Sequence, residues 1–273
     1  MVPEPSHEER EALDAQRART ASRDDLQLYV YNGSEQVLFA LLENPLLDEK
    51  NLLLLLERKD LPGKLLDRIS KQKAWMESYA VRLRLARHPQ TPRIVSLRLV
   101  KHLYLFDLVN LSLLPQVPAE LKRIAEEMII ARLPQLPLGQ KLTLARRGSG
   151  RIAAALLAEG IAQIVPLALD SAFLTESHVL KTLAREGLPP GVVAALAVHS
   201  KWSYFYNVRM ALVRHPLTPL ARVLAFIPDL TMRDLSELLH ASTLTDNLRE
   251  YIRNEVEIRA RRRPRPAGTP ITD

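Results

Sequence analysis

Shifting the chain by 127 residues lays its two halves on one another without a gap, and this self-match constrains the fold more than any motif. Leu61-Pro62 falls on Leu188-Pro189, Trp75 on Trp202 and Tyr79 on Tyr206. Arg82 falls on Arg209, Arg87-His88-Pro89 on Arg214-His215-Pro216, Thr91-Pro92 on Thr218-Pro219, and Asp107 on Asp234. Rare residues kept in one register mean that a supersecondary assembly is used twice. A second echo, Gly33-Ser34 with Gly148-Ser149, lies at an offset of 115, so the second copy carries about 12 extra residues around Glu159–Pro166.

Within each copy the apolar residues recur at helical rather than strand spacing, in stretches broken by Pro, Gly, Ser or Thr. Aromatic residues are only 5% of the chain while apolar residues are 47%, a balance that suits helix-on-helix packing. Asp48 and Thr175 stand at matching places as N-caps. Tyr79, Leu83 and Arg87 follow one helical face, with Trp75 a turn ahead. Pro89 ends that helix at His88; Thr91 then caps the next, with Pro92 in its first turn. Thr231 and Asp234 have capping-box spacing. The class expected is all-α, an α-solenoid with an internal duplication. Residues 1–25 read as a flexible charged segment, a frayed helix at most over about its first 20 residues, 26–140 and 141–260 as the two helical halves, and 261–273 as a basic tail without structure.

VRLRLARHPQTPRIVSLRLV and VRMALVRHPLTPLARVLAFI resemble the unit of the leucine-rich repeat variant family: Val-Arg, an apolar step, His-Pro-x-Thr-Pro, then a second helix. The resemblance implies short helices stacked into a superhelix, related to HEAT and armadillo repeats, and a long binding surface rather than an activity. One type in that family binds an iron–sulfur centre through cysteines. This chain has no cysteine, so that function does not carry over, and disulfides and thiolate zinc sites are excluded with it.

The candidate side chains divide into structural and exposed groups. His88 and His215 fit helix C-termini, where imidazole meets unpaired carbonyls; His102, His178, His199 and His240 are scattered without ligand spacing. Arg82 with Asp107, and Arg209 with Asp234, suggest an ion pair repeated in each half. Trp75 and Trp202 are expected in the core. Tyr204 and Phe205, which have no aromatic counterparts in the first copy, are with Lys201 the candidates for a contact surface. Gly148-Ser149-Gly150 after Arg146-Arg147 is a weak phosphate nest and a better helix start. Arg261, Arg262 and Arg263 join Arg259 and Arg265 in a basic cluster suited to phosphates or a solvated tail.

The net charge of +7 is uneven: residues 1–25 carry −3 and residues 259–273 carry +4. No apolar run approaches the roughly 20 residues that span a bilayer. The expectation is a cytoplasmic, non-enzymatic scaffold without cofactor that holds a protein. The rivals are a HEAT-like nucleic-acid binder with a basic concave face, and an enzyme with an unrecognised site. Arginines 82, 84, 87, 98, 209 and 214 gathered on one face would favour nucleic acid; their dispersal into ion pairs would favour protein.

Overall fold

The computed structural model describes residues 6–240 and 245–262, and among them every regular element is a helix. These residues form two compact units that divide between Ala131 and Arg132. The division comes ahead of the expected joint at 140/141. Leu133, ahead of that joint, is buried in a 3-10 turn, Leu133–Gln135, that belongs to the second unit.

The first unit opens with a helix, not a flexible segment. Helix His7–Thr20 starts on a capping box in which Ser6 and Glu9 satisfy each other's backbone N–H groups. It packs on helix Glu35–Leu42, and Ala18 is fully buried. The Asn44 amide donates to the carbonyls of Ala18 and Ala21 at 2.8 and 3.1 Å, closing the helix's C-terminus from a distant loop. Composition alone hides this, because a surface helix needs only a narrow apolar stripe.

Six helices of the first unit begin 127 residues before a helix of the second. The pairs start at Glu49 and Glu176, Gly63 and Pro190, Tyr79 and Tyr206, Arg93 and Leu220, Leu105 and Met232, and Ala119 and Asp246. The caps recur as well: Asp48 accepts from the Asn51 N–H at 2.9 Å, and Thr175 from the His178 N–H at 3.4 Å. Where the two offsets differ, Gly160 ends a helix with φ of 69° and a short helix, Val165–Leu169, follows.

Two local expectations fail. Ser78 caps a helix that begins at Tyr79, so Trp75 sits in a separate short helix, Lys73–Glu77, rather than one turn ahead on the same helix. Thr91 does not cap the following helix. Its hydroxyl donates back to the Leu85 carbonyl at 2.7 Å, and Thr218 does the same to Leu212 at 2.6 Å. Pro92 and Pro219 occupy the N-cap positions instead. The C-terminal carbonyls of the first helix have no helical N–H left to meet, and the threonine hydroxyl is the nearest donor.

At the other end, helix Asp246–Arg262 runs past the expected tail boundary and includes Arg261 and Arg262. Arg259 belongs to the body: it donates to the carbonyls of Leu230, Ile227 and Pro228 at 2.6, 3.0 and 2.7 Å. Arg263 and the rest of the tail lie outside the described residues.

Candidate functional site

Each unit contains the same polar clasp between helices. In the first, the Tyr79 hydroxyl donates to Asp107 at 2.6 Å and accepts from the Tyr104 backbone N–H at 3.0 Å. In the second, Tyr206 donates to Asp234 and accepts from the Thr231 N–H at 3.0 Å. The expected arginine partners are different, however. Arg87, not Arg82, pairs with Asp107 at 2.8 Å, and Arg209 pairs with Asp229 at 2.7 Å. The clasp joins helices distant in sequence, a fixing role rather than a reactive one. Burial first, and then the carboxylate of Asp107, push the Tyr79 phenol above its ordinary 10.0. Tyr79→Phe should cost about 1–2 kcal/mol, since it removes two hydrogen bonds. A double-mutant cycle with Asp107→Asn is expected to show coupling of at least about 0.5 kcal/mol; strict additivity would show that the two residues do not act together.

His88 and His215 are the C-cap residues of their helices through their backbone N–H groups, but their rings do not meet those helices' own carbonyls; the His215 Nδ1 accepts from the Leu217 N–H at 3.2 Å. His88 sits beside the Arg58 carbonyl, 2.5 Å from its Nε2, while its Nδ1 accepts from the Gln90 N–H at 3.2 Å. That arrangement describes a neutral ring with the proton on Nε2. Burial holds His88 and His215 below the ordinary 6.5. The folded chain therefore resists a proton that the unfolded chain accepts, so stability is full above about pH 6.5 and falls as pH drops toward the lower folded values. Urea unfolding followed from about pH 8 down to about 5 should show this decline. His88→Asn should make the profile shallower, and an equal slope in the variant would remove His88 from the account.

A groove of about 790 Å³ runs beside this corner, lined by Leu56, Leu83, Leu113, Arg58, Arg84 and Arg87 among others. Its arginines are already engaged: Arg58 donates to the carbonyls of Val30 and Asn32 and pairs with Asp60, and Arg84 pairs with Glu57 at 2.9 Å. Arg214 likewise meets Glu237, at 3.5 Å. Among the described residues, no group of three or more His, Asp or Glu is placed to hold a metal ion.

The second unit carries the exposed aromatic ledge. Trp202 is its base: 1% exposed, with its indole N–H donating to the Leu169 carbonyl at 2.9 Å. Tyr204 stands 74% exposed, and Phe205 rests against Trp202 with ring centroids 5.4 Å apart. Lys201 lies over the Trp202 ring at 4.2 Å and Arg209 beside the Tyr204 ring at 5.5 Å. The cations thus present aromatic faces with a positive rim. Trp75 is not an equivalent base. It is only partly buried, in a helix that buries no residue. The expectation that both tryptophans are core holds for Trp202 alone.

Gly148-Ser149-Gly150 is a helix start built for close packing. Ser149 is the N-cap of helix Gly150–Glu159, and a Cβ added at Gly150 would lie 2.2 Å from the Phe173 carbonyl oxygen. The glycine admits a neighbouring backbone, which leaves no cradle for a phosphate. Arg261 is exposed on the last turn of its helix, 3.6 Å from Glu257. No described helix is long and apolar enough to cross a membrane. No family model, no curated protein and no solved structure matches the chain.

Proposed function

We propose that the chain is a non-enzymatic binding protein built from two copies of one helical block of the α-solenoid kind, and that the Tyr204–Phe205 ledge holds a protein partner. The duplication is supported by six helix starts at one spacing and by the clasps that recur with them. A short helical hairpin cannot bury its apolar face alone, so stacked neighbours complete the core and leave a surface free for recognition.

The ledge is the observation that carries the binding role. Tyr204 is three-quarters exposed with Arg209 beside its ring, and its neighbour Phe205 rests on a fully buried tryptophan. Tyr and Trp dominate interface energetics because they offer area at low entropic cost. Four of the six arginines whose placement separates the readings, Arg84, Arg87, Arg209 and Arg214, are paired with carboxylates, which supports a protein partner; Arg82 and Arg98 are not so paired.

Capture from the native host's lysate, with and without nuclease, tests this reading. A defined protein is expected to survive nuclease and to be lost with Tyr204→Ser, whose melting temperature should match the parent's. Retention that collapses with nuclease would instead support the nucleic-acid rival.

A further inference from the structure

Most arginines of the first unit meet a carboxylate, but two that share one hollow do not. A hollow of about 300 Å³ is lined by Ser70, Lys71, Lys73, Met76, Arg82, Arg98, Leu99 and His102. No carboxylate is among them. Lys71 is paired with Asp67 at 2.6 Å, outside this lining. Arg98 is held by Ser70, donating to its carbonyl and hydroxyl at 3.2 and 3.3 Å, which fixes one nitrogen and leaves the rest of the fork unused. Arg82 stacks over the Tyr79 ring at 5.6 Å, and its Nε is buried without a hydrogen-bond partner. A buried donor left unmade costs about 1–3 kcal/mol, so its retention needs an explanation.

The positions 127 residues further on show the contrast: there the matching Nε meets a backbone carbonyl, and an outer guanidinium nitrogen meets a carboxylate. Arg82 corresponds to Arg209 and His102 to Asp229. In the second unit those two residues form an ion pair at 2.7 Å. Arg209 also donates its Nε to the Ser203 carbonyl, at 2.5 Å. Lys73 and Arg98 are replaced there by Ser200 and Ala225. Where the first unit gathers cations, the second provides its own anion and fewer charges.

We propose that the hollow of the first unit binds an oxyanion of the phosphate type, held by Lys73, Arg82 and Arg98, in the role that Asp229 fills within the second unit. Three cations exceed what one carboxylate neutralises and match a phosphoryl group with two charges and several acceptor oxygens. A planar guanidinium stacked on tyrosine is pre-oriented for such an acceptor. The site goes beyond the partner-binding proposal and is independent of it, because it lies in the other unit and needs no protein ligand.

The test uses the full chain and inorganic phosphate at constant ionic strength, followed by phosphorus NMR line broadening and by thermal melting. Saturable broadening and a rising melting temperature are expected. Arg98→Gln should weaken binding by at least about tenfold, the equivalent of one charge-assisted hydrogen bond. His102→Asp, which installs the carboxylate found at the matching place, should abolish phosphate binding while raising the melting temperature in phosphate-free buffer. That gain keeps the test decisive even if Arg98→Gln fails to fold. A phosphoserine peptide that binds more tightly than inorganic phosphate would place the group on a protein chain; equal affinity would assign a free anion. Unsaturable binding, affinity that grows only with the length of an oligonucleotide, or indifference to both substitutions would overturn the site.

Discussion

Trp202→Ala is expected to destabilise the fold by about 3–5 kcal/mol, the range for truncating a fully buried aromatic. The loss combines the cavity, the Phe205 ring contact and the stranded Leu169 carbonyl, which the indole N–H now satisfies. Trp75→Ala, at the matching position, should cost only about 1 kcal/mol, because Trp75 is only partly buried in a short helix, Lys73–Glu77, that fully buries no residue. Urea denaturation of both variants measures the contrast. Equal losses would mean that Trp75 is as deeply packed as its counterpart.

Gly150→Ala should be nearly as damaging, at about 3 kcal/mol or more. Its Cβ would stand 2.2 Å from the Phe173 carbonyl oxygen and 2.5 Å from the His178 ring. A side chain can rotate away, but a backbone carbonyl cannot move without carrying its neighbours. Gly191→Ala is the control: no atom lies within 4 Å of the added carbon, and the position is helical. That substitution should be neutral or stabilise by up to about 1 kcal/mol. If Gly150→Ala melted with the parent, the helix start would not be packed as described.

These contrasts show what the residues make legible. Periodicity, proline placement and caps such as Asp48 and Thr175 are local, so the helical class and most helix starts can be read directly. Pairing is not local. Arg82 and Arg87 lie on one helix at different angles, and only the packed structure shows that Arg87 faces Asp107. Trp75 and Trp202 share a register, yet what covers each is decided by other helices. The threonine of His-Pro-x-Thr-Pro has two uses, capping forward or satisfying the helix behind, and the carbonyls left open by the first helix decide between them. Ser78 was a readable signal for the break before Tyr79, since serine is a favoured N-cap. The opening helix has a local start signal in Ser6-x-x-Glu9, but the partner that closes it, Asn44, stands 23 residues beyond Ala21 and is not local.

The candidate surface was legible for a different reason. Tyr204 and Phe205 break the 127-residue register, standing where the first half has Glu77 and Ser78. A departure from the repeat is where function separates from packing. The unmatched Lys73, Arg98 and His102 belong to the same kind of signal, but their meaning needed Asp229 paired with Arg209 to become visible.

The most direct measurement of the binding role places a photo-crosslinking amino acid at position 204, and at the matching position 77, in the full chain. Irradiation in the native host's lysate should yield a discrete protein adduct from position 204 and none from position 77. Adducts of equal strength at both positions, or adducts at 204 that disappear on nuclease treatment, would contradict a protein-binding ledge confined to the second unit.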